Sequence, residues 1–309
     1  MSRRAVIDIG TNSVRLLVAQ SDSDSGMFEP LERLVRVTRL GEGVHDTHRL
    51  QPTAVQRTLD AVTEFCAQAL ALDAVIARVV TTSAVRDATD RDKLLDQIAV
   101  TAGCNPEILS GDAEAALAFT GATGDTLVST YPAPYLVVDI GGGSTELVVG
   151  VSTPEQSISL DVGCVRITEM FLHSDPPLPE ELSNAVGYVR DLLADVDRVM
   201  PRARTARTAI GVAGTIASVA MIEQGCMQYS RARIHGFALT REAVEEIFRT
   251  LATESAEERR HNPGLEVGRV DVIVGGLVIL AAVFRHYGLD SLVYSESDLL
   301  DGLLLSTQV

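Results

Sequence analysis

The chain has 309 residues, a length that favours two domains, and 46% of them are hydrophobic, while 4% are aromatic and none is Trp. Ala, Val and Leu must therefore fill its cores, and the composition excludes an intrinsically disordered chain. A formal net charge of -16 excludes a sequence-independent pull toward nucleic acid or an anionic membrane. It also means that a phosphate-rich substrate must be met by local arginines and a cation.

Residues 5–9 form a β-branched apolar run ended by a glycine turn, and 14–19 form another, so the two predict a hairpin. Asp8 breaks the first run behind Arg3 and Arg4, which removes the pattern of a signal peptide. Residues 34–40 alternate and predict a further strand. Residues 53–72 place Val55, Leu59, Val62, Cys66 and Leu70 at helical spacing, with Pro52 at a favourable start. A strand over 75–82, a helix over 91–102, a short extended piece at 107–109 and an Ala-rich helix over 112–120 follow. Residues 121–134, with Gly124, Pro132 and Pro134, read as a loop and a candidate hinge.

The pattern then repeats. Strands are predicted over 135–140, 145–151 and 157–161, a long amphipathic helix over 180–200 and a strand over 208–212 that turns into a helix at Gly214. Helices over 241–253 and 270–287, a strand over 291–295 and a closing helix over 298–305 complete the chain. The longest apolar stretch, 272–284, is shorter than the ~20 residues a bilayer span needs. Cys66, Cys104, Cys164 and Cys226 are widely spaced and match no zinc pattern, as expected of reduced thiols in a cytoplasmic protein. Strands alternating with helices in two halves that each open on a hairpin predict an α/β fold. The domains are expected at 1–124 and 125–296, with the closing segment 297–309 a candidate to rejoin the first.

The repeat carries the chemistry. Asp8-Ile9-Gly10-Thr11-Asn12-Ser13 and Asp139-Ile140-Gly141-Gly142-Gly143-Ser144 share Asp, Ile, Gly and Ser in register. Each Asp ends a strand, glycine permits a turn with φ > 0, and the freed N–H groups with Thr and Ser hydroxyls make an anion-binding nest. One such loop is as readily an ordinary hairpin. Two in register predict a clamp on a phosphate chain, with Asp8 and Asp139 holding Mg²⁺ or its waters. Arg15, on the strand after the first loop, and Arg86, after the strand at 75–82, have the planar fork that suits phosphate oxygens. Glu146 is the counterpart of Arg15 in the repeat, either a third metal ligand or the ion-pair partner of Arg15. Glu114, taken alone, reads as a carboxylate compensating a helix dipole. Gly211 to Thr215, GVAGT, opens a helix and serves either close packing or a nucleoside.

The paired loops resemble the two phosphate motifs of the actin-like ATPase fold. More narrowly, AVIDIGTNSVRLLV, VVDIGGGSTELVVG, ILSGDAEAALAF and GVAGT, with GCVRITE and YSESDLLDGLL, resemble the Ppx/GppA family of exopolyphosphatases and guanosine pentaphosphatases over nearly the whole chain. The resemblance implies two actin-like (ribonuclease H-like) domains with a cleft between them. It implies Glu114 as general base, Arg86 as a phosphate ligand, and Gly10, Thr11, Asn12, Ser13, Gly141, Gly142, Gly143, Ser144 and Thr145 around the phosphates; Arg15 stands where the family varies. The metal would be Mg²⁺ on Asp8, Asp139 and Glu146. The expected reaction is release of terminal orthophosphate from polyphosphate, with short chains preferred because long family members carry an added helical part that this chain lacks. Guanosine pentaphosphate is the alternative substrate. A sugar or acetate kinase and a non-catalytic nucleotide or alarmone sensor are the remaining readings, and a homodimer is the candidate assembly.

Overall fold

The first two apolar runs are buried almost throughout and pair as neighbours in one sheet. A computed structural model describes residues 2–21, 28–125 and 127–308. Thr126, inside the predicted 121–134 loop, and Met1 and Val309 at the predicted domain limits lie outside the described residues. The first half contains β1 (Arg3–Ile9), β2 (Ser13–Ser21), β3 (Phe28–Val37), α1 (Val44–Thr47), α2 (Pro52–Ala71), β4 (Val75–Thr81), α3 (Ser83–Asp87), α4 (Asp92–Ala102), β5 (Glu107–Ile108) and α5 (Gly111–Thr123). The second contains β6 (Tyr135–Ile140), β7 (Thr145–Gly150), β8 (Pro154–Leu160), α6 (Cys164–Phe171), α7 (Pro179–Val199), β9 (Thr208–Val212), α8 (Ala213–Glu223), α9 (Arg231–Ile234), β10 (Ala238–Thr240), α10 (Arg241–Thr253), α11 (Ala256–Arg259), α12 (Ile273–Tyr287), β11 (Ser291–Tyr294) and α13 (Leu299–Leu305).

Each half has its own sheet, ordered β3-β2-β1-β4-β5 in the first and β10-β11-β9-β6-β7-β8 in the second. In both, an antiparallel three-strand meander is followed by parallel strands on the far side of its first strand. The loop repeat seen in the sequence is thus the start of a repeated topology. Alternate residues of β1 and β2 split the first core in two. Ala5, Ile7, Ile9, Val14, Leu16 and Val18 pack on Val62 and Phe65 of α2 and Leu94 and Ile98 of α4. Val6, Leu17 and Ala19 pack on Leu299, Leu300, Leu303 and Leu304 of α13. The closing helix therefore returns to the first sheet.

Helix α5 lies between the halves. Ala118 joins the α13 cluster, while Ala115, Phe119 and Ala122 pack on Val137 and Val148 of the second sheet. Burial of Phe119 alone contributes roughly 1.5–3 kcal/mol. A Cβ added at Gly121 would sit 1.8 Å from the Asp298 carbonyl oxygen, and one at Gly302 would sit 2.0 Å from that of Leu117. These contacts explain why α5 runs through Gly121 to Thr123, where the sequence predicts a loop. Strand β3 begins and ends earlier than the predicted 34–40. It is an edge strand, largely exposed, and edges tolerate the charges that hide its start. Among the described residues no helix is long and apolar enough to cross a membrane.

Candidate active site

Both loops close in the same way. The Gly10 N–H donates to the Ser13 carbonyl at 2.9 Å, and the Gly141 N–H donates to that of Ser144 at 3.0 Å. Asp8 stands opposite Arg15 and Asp139 opposite Glu146 in the two hairpin registers. The expected left-handed glycines are absent: none of Gly10, Gly141, Gly142 or Gly143 has a positive φ. Their requirement is close approach instead. A Cβ on Gly142 would lie 3.0 Å from the Asn12 nitrogen, and one on Gly143 would lie 2.8 Å from Thr11 Oγ1 and 2.6 Å from Ser83 Oγ. The two loops touch across a cleft of about 60 Å³ whose wall includes Asp8, Gly10 to Ser13, Arg15, Glu114, Asp139 and Gly141 to Ser144. The buried side-chain amide of Asn12 has no protein partner at either end.

The cleft concentrates carboxylates. Glu114 sits in the first turn of α5, whose N-cap Ser110 accepts from the Ala113 N–H. It is only 8% exposed, so it is no solvent-facing dipole compensator. Burial, then Asp139 and Asp8, push its carboxyl up to about 8 against the opposing pull of Arg86. Burial also pushes Asp139 up to about 7, with Arg15 opposing and Asp298 and Asp8 adding. Asp8 is raised by burial too, although Arg15 holds it through contacts of 2.9 Å and 2.7 Å to Oδ2. Among the described residues, Asp8 Oδ1 and Glu114 Oε2 have no hydrogen-bond partner. These groups are built for a positive charge or a proton.

Three expected ligands stand elsewhere. Arg86 is in the last turn of α3, outside the lining of the cleft. It donates to the Leu109 carbonyl at 2.8 Å and approaches Glu114 Oε2 to 3.5 Å, an ion-pair distance rather than a hydrogen bond. It thus stands beside Glu114. Thr145 is in β7, and its hydroxyl donates to the Val162 carbonyl at 2.5 Å. Glu146 also lies behind the cleft wall, accepting from Ser159 at 2.7 Å, and burial followed by Glu114 and Asp139 raises it well above the usual range. It does not pair with Arg15, whose described partners are Asp8 and Asp298.

Thr82, Cys164 and Arg269 line the cleft beyond the residues the sequence singles out. Arg269 reaches the cleft from the turn before α12, its Nε held by Glu266 at 3.1 Å. A Cβ on Gly214 would fall 2.1 Å from its guanidinium, so the glycine of GVAGT makes room for this arginine. That unexplained glycine was the one signal available. Cys164 also lines the cleft, and burial raises its thiol, the reverse of an activated nucleophile.

Comparison with known proteins agrees with this architecture. A model of the Ppx/GppA phosphatase family matches residues 17–308. Exopolyphosphatase 2 of Mycobacterium tuberculosis is 38% identical over 99% of this chain and 98% of its own. Among solved structures, an exopolyphosphatase-like protein superposes with a TM-score of 0.92 at 35% identity, covering 98% of both chains. The Aquifex aeolicus member of the Ppx/GppA family superposes with a TM-score of 0.81 at 29% identity, covering 99% of this chain and 97% of that one. The two sheets are the paired domains of the actin-like ATPase fold. The chain belongs to the Ppx/GppA phosphatase family, hydrolases that act on phosphoanhydride bonds.

Proposed function

We propose that this chain is a magnesium-dependent exopolyphosphatase that releases terminal orthophosphate from short polyphosphate. The observation that carries the reading is Glu114, a buried carboxylate raised to about 8 that lines the cleft between two phosphate loops. A general base works best with its pKa near the working pH. The donor set fits magnesium. Among the described residues no three His, Cys, Asp or Glu side chains converge as a ready-made cage. Magnesium is commonly held by one or two carboxylates, with waters and substrate phosphates completing its shell. Asp8 and Asp139 would hold it, and Glu146 steadies the acidic wall behind. When bound, the ion neutralises phosphate oxygens that the carboxylates would otherwise repel by about 4 kcal/mol per charge pair at 4 Å.

The residues of the chain do the rest. Loop N–H groups, the Asn12 amide and Arg269 hold the phosphates, and Arg86 orients Glu114. Glu114 takes a proton from a water attacking the terminal phosphorus in line. The bond to the bridging oxygen breaks, leaving orthophosphate and a chain one unit shorter. In the adjoining pocket Arg15 and Arg33 are paired with Asp298 and Arg269 with Glu266, so it offers a long chain no row of unpaired cations, which supports a preference for short ones. The same pocket, about 80 Å³ and partly lined by Ala217, Met221 and Tyr229, favours guanosine pentaphosphate as the second reading. Orthophosphate release from tripolyphosphate, long polyphosphate and guanosine pentaphosphate, measured in parallel with Mg²⁺ and with chelator, decides between them. Release from tripolyphosphate fastest, and abolished by chelator, is expected. Full activity in excess chelator contradicts the metal, and release confined to the nucleotide contradicts the substrate.

A further inference from the structure

A chain of buried ion pairs runs from the cleft to the closing helix. Arg15 Nε and Nη2 grip Asp8 Oδ2, and Arg15 Nη1 donates to Asp298 Oδ2. Arg33 spans Asp298 Oδ1 at 3.4 Å and Asp301 Oδ2 at 2.6 Å. Asp298 is also the N-cap of α13, its Oδ1 accepting from the Leu300 N–H at 2.9 Å. Both of its oxygens are thus committed, one to the cap and Arg33, the other to Arg15.

A cap needs no charge, because Ser and Asn cap as well as Asp. A buried charge, by contrast, is costly unless paired, so the carboxylate has a second task. Its consequence is geometric. With Nη1 tied to Asp298, the guanidinium fork has one pose, in which Nε and Nη2 occupy Asp8 Oδ2 alone. Asp8 Oδ1 is left without a partner, on a residue that lines the cleft.

We infer that Asp298 is a positioning residue for the active site: it fixes and neutralises Arg15, so that Asp8 keeps one oxygen free for the cation. The inference rests on the reading of Asp8 as a cation ligand. It makes the first turn of α13 part of the machinery of the cleft, although Asp298 itself touches no substrate. The charges facing the group come from β1 (Asp8), β2 (Arg15), β3 (Arg33), β6 (Asp139) and α13 (Asp301). Removing the carboxylate leaves Arg15 uncompensated beside Asp8, where it competes with the cation for that carboxylate and repels it.

Asp298→Asn is the direct test. Its amide oxygen keeps the cap, while its amide nitrogen faces Arg15 donor to donor. Asp298→Ser also caps and lacks that clash, so it answers the question if the Asn variant folds poorly. Binding of Mn²⁺ to substrate-free protein is followed by the electron paramagnetic resonance of the free ion, beside thermal unfolding. Both variants should bind Mn²⁺ about tenfold more weakly, the scale expected when one charge is removed near a divalent ion in a half-buried site. Excess Mg²⁺ should restore much of their turnover, a rescue that damage to the fold would not show. Wild-type Mn²⁺ affinity in both variants overturns this inference and leaves the cation reading standing. A wild type with no saturable Mn²⁺ site overturns both.

Discussion

Glu114 and Asp139 share one physical condition: each is a carboxylate deprived of water and placed beside others of its own sign. The folded carboxyls rise from 4.5 to about 8 and from 3.8 to about 7, so the native state holds protons that the unfolded state has released. Stability from these groups is therefore full below about pH 4 and is lost as the pH climbs through 7 and 8. Metal-free protein should lose on the order of 5 °C in Tm between about pH 5 and pH 8.5. Mg²⁺ should return part of that loss by replacing the protons, and Glu114→Gln should flatten the slope. A Tm independent of pH in the metal-free wild type would show that the carboxylates are not in this environment.

At the scale of elements, the helix crossing that places Glu114 depends on glycine. Replacing an exposed helical Gly by Ala normally adds up to about 1 kcal/mol of stability. Gly187 of α7 has open space where a Cβ would go, so Gly187→Ala should stabilise. At Gly302 the same methyl meets the Leu117 carbonyl at 2.0 Å, and Gly302→Ala should cost about 1–3 kcal/mol. Denaturant unfolding of the two variants gives opposite signs if α5 and α13 pack as described, and a stabilised Gly302→Ala would refute that crossing.

The elements most legible in the sequence are those whose reason is local. Helix α10 and strand β9 stand at their expected limits, because apolar period and flanking turns suffice to set them. Strand β3 was misjudged, since its partners rather than its own residues make it a strand. Helix α6 was not assigned at all: GCVRITE is short, and only its packing against α12 and the second loop brings it into the fold. The two loops and Glu114 were readable because a repeat and a motif carry them. Arg269 is not, because only tertiary packing brings the turn before α12 to the cleft; Arg86 and Glu146 are legible as candidates, whereas their contacts with Glu114 and Ser159 are set by packing. The glycines of the loops were found for the wrong reason, as turn formers rather than as points of contact.

The whole molecule holds its two halves together across the cleft through polar contacts. Arg39 pairs with Asp271 at 2.5 Å, Arg166 with Asp87 at 2.6 Å, and the Gly43 N–H donates to Glu169 at 2.9 Å. The two connections between the sheets are joined as well, with Ser297 Oγ donating to Asp125 at 2.7 Å. The cleft is lined from both halves, so closure of the halves over a phosphate chain is expected. Solution scattering should show a smaller radius of gyration with a phosphate analogue and Mg²⁺ than without, and an unchanged radius would argue against closure. The central claim is that α5 delivers a general base to the phosphates gripped by the two loops. Its most direct test is turnover of tripolyphosphate by Glu114→Gln with saturating Mg²⁺, beside polyphosphate binding by the same variant. Turnover should fall by ~10²–10⁴ with binding retained or tightened, since a negative charge has left the cleft; near-normal turnover in that variant would remove Glu114 as the base.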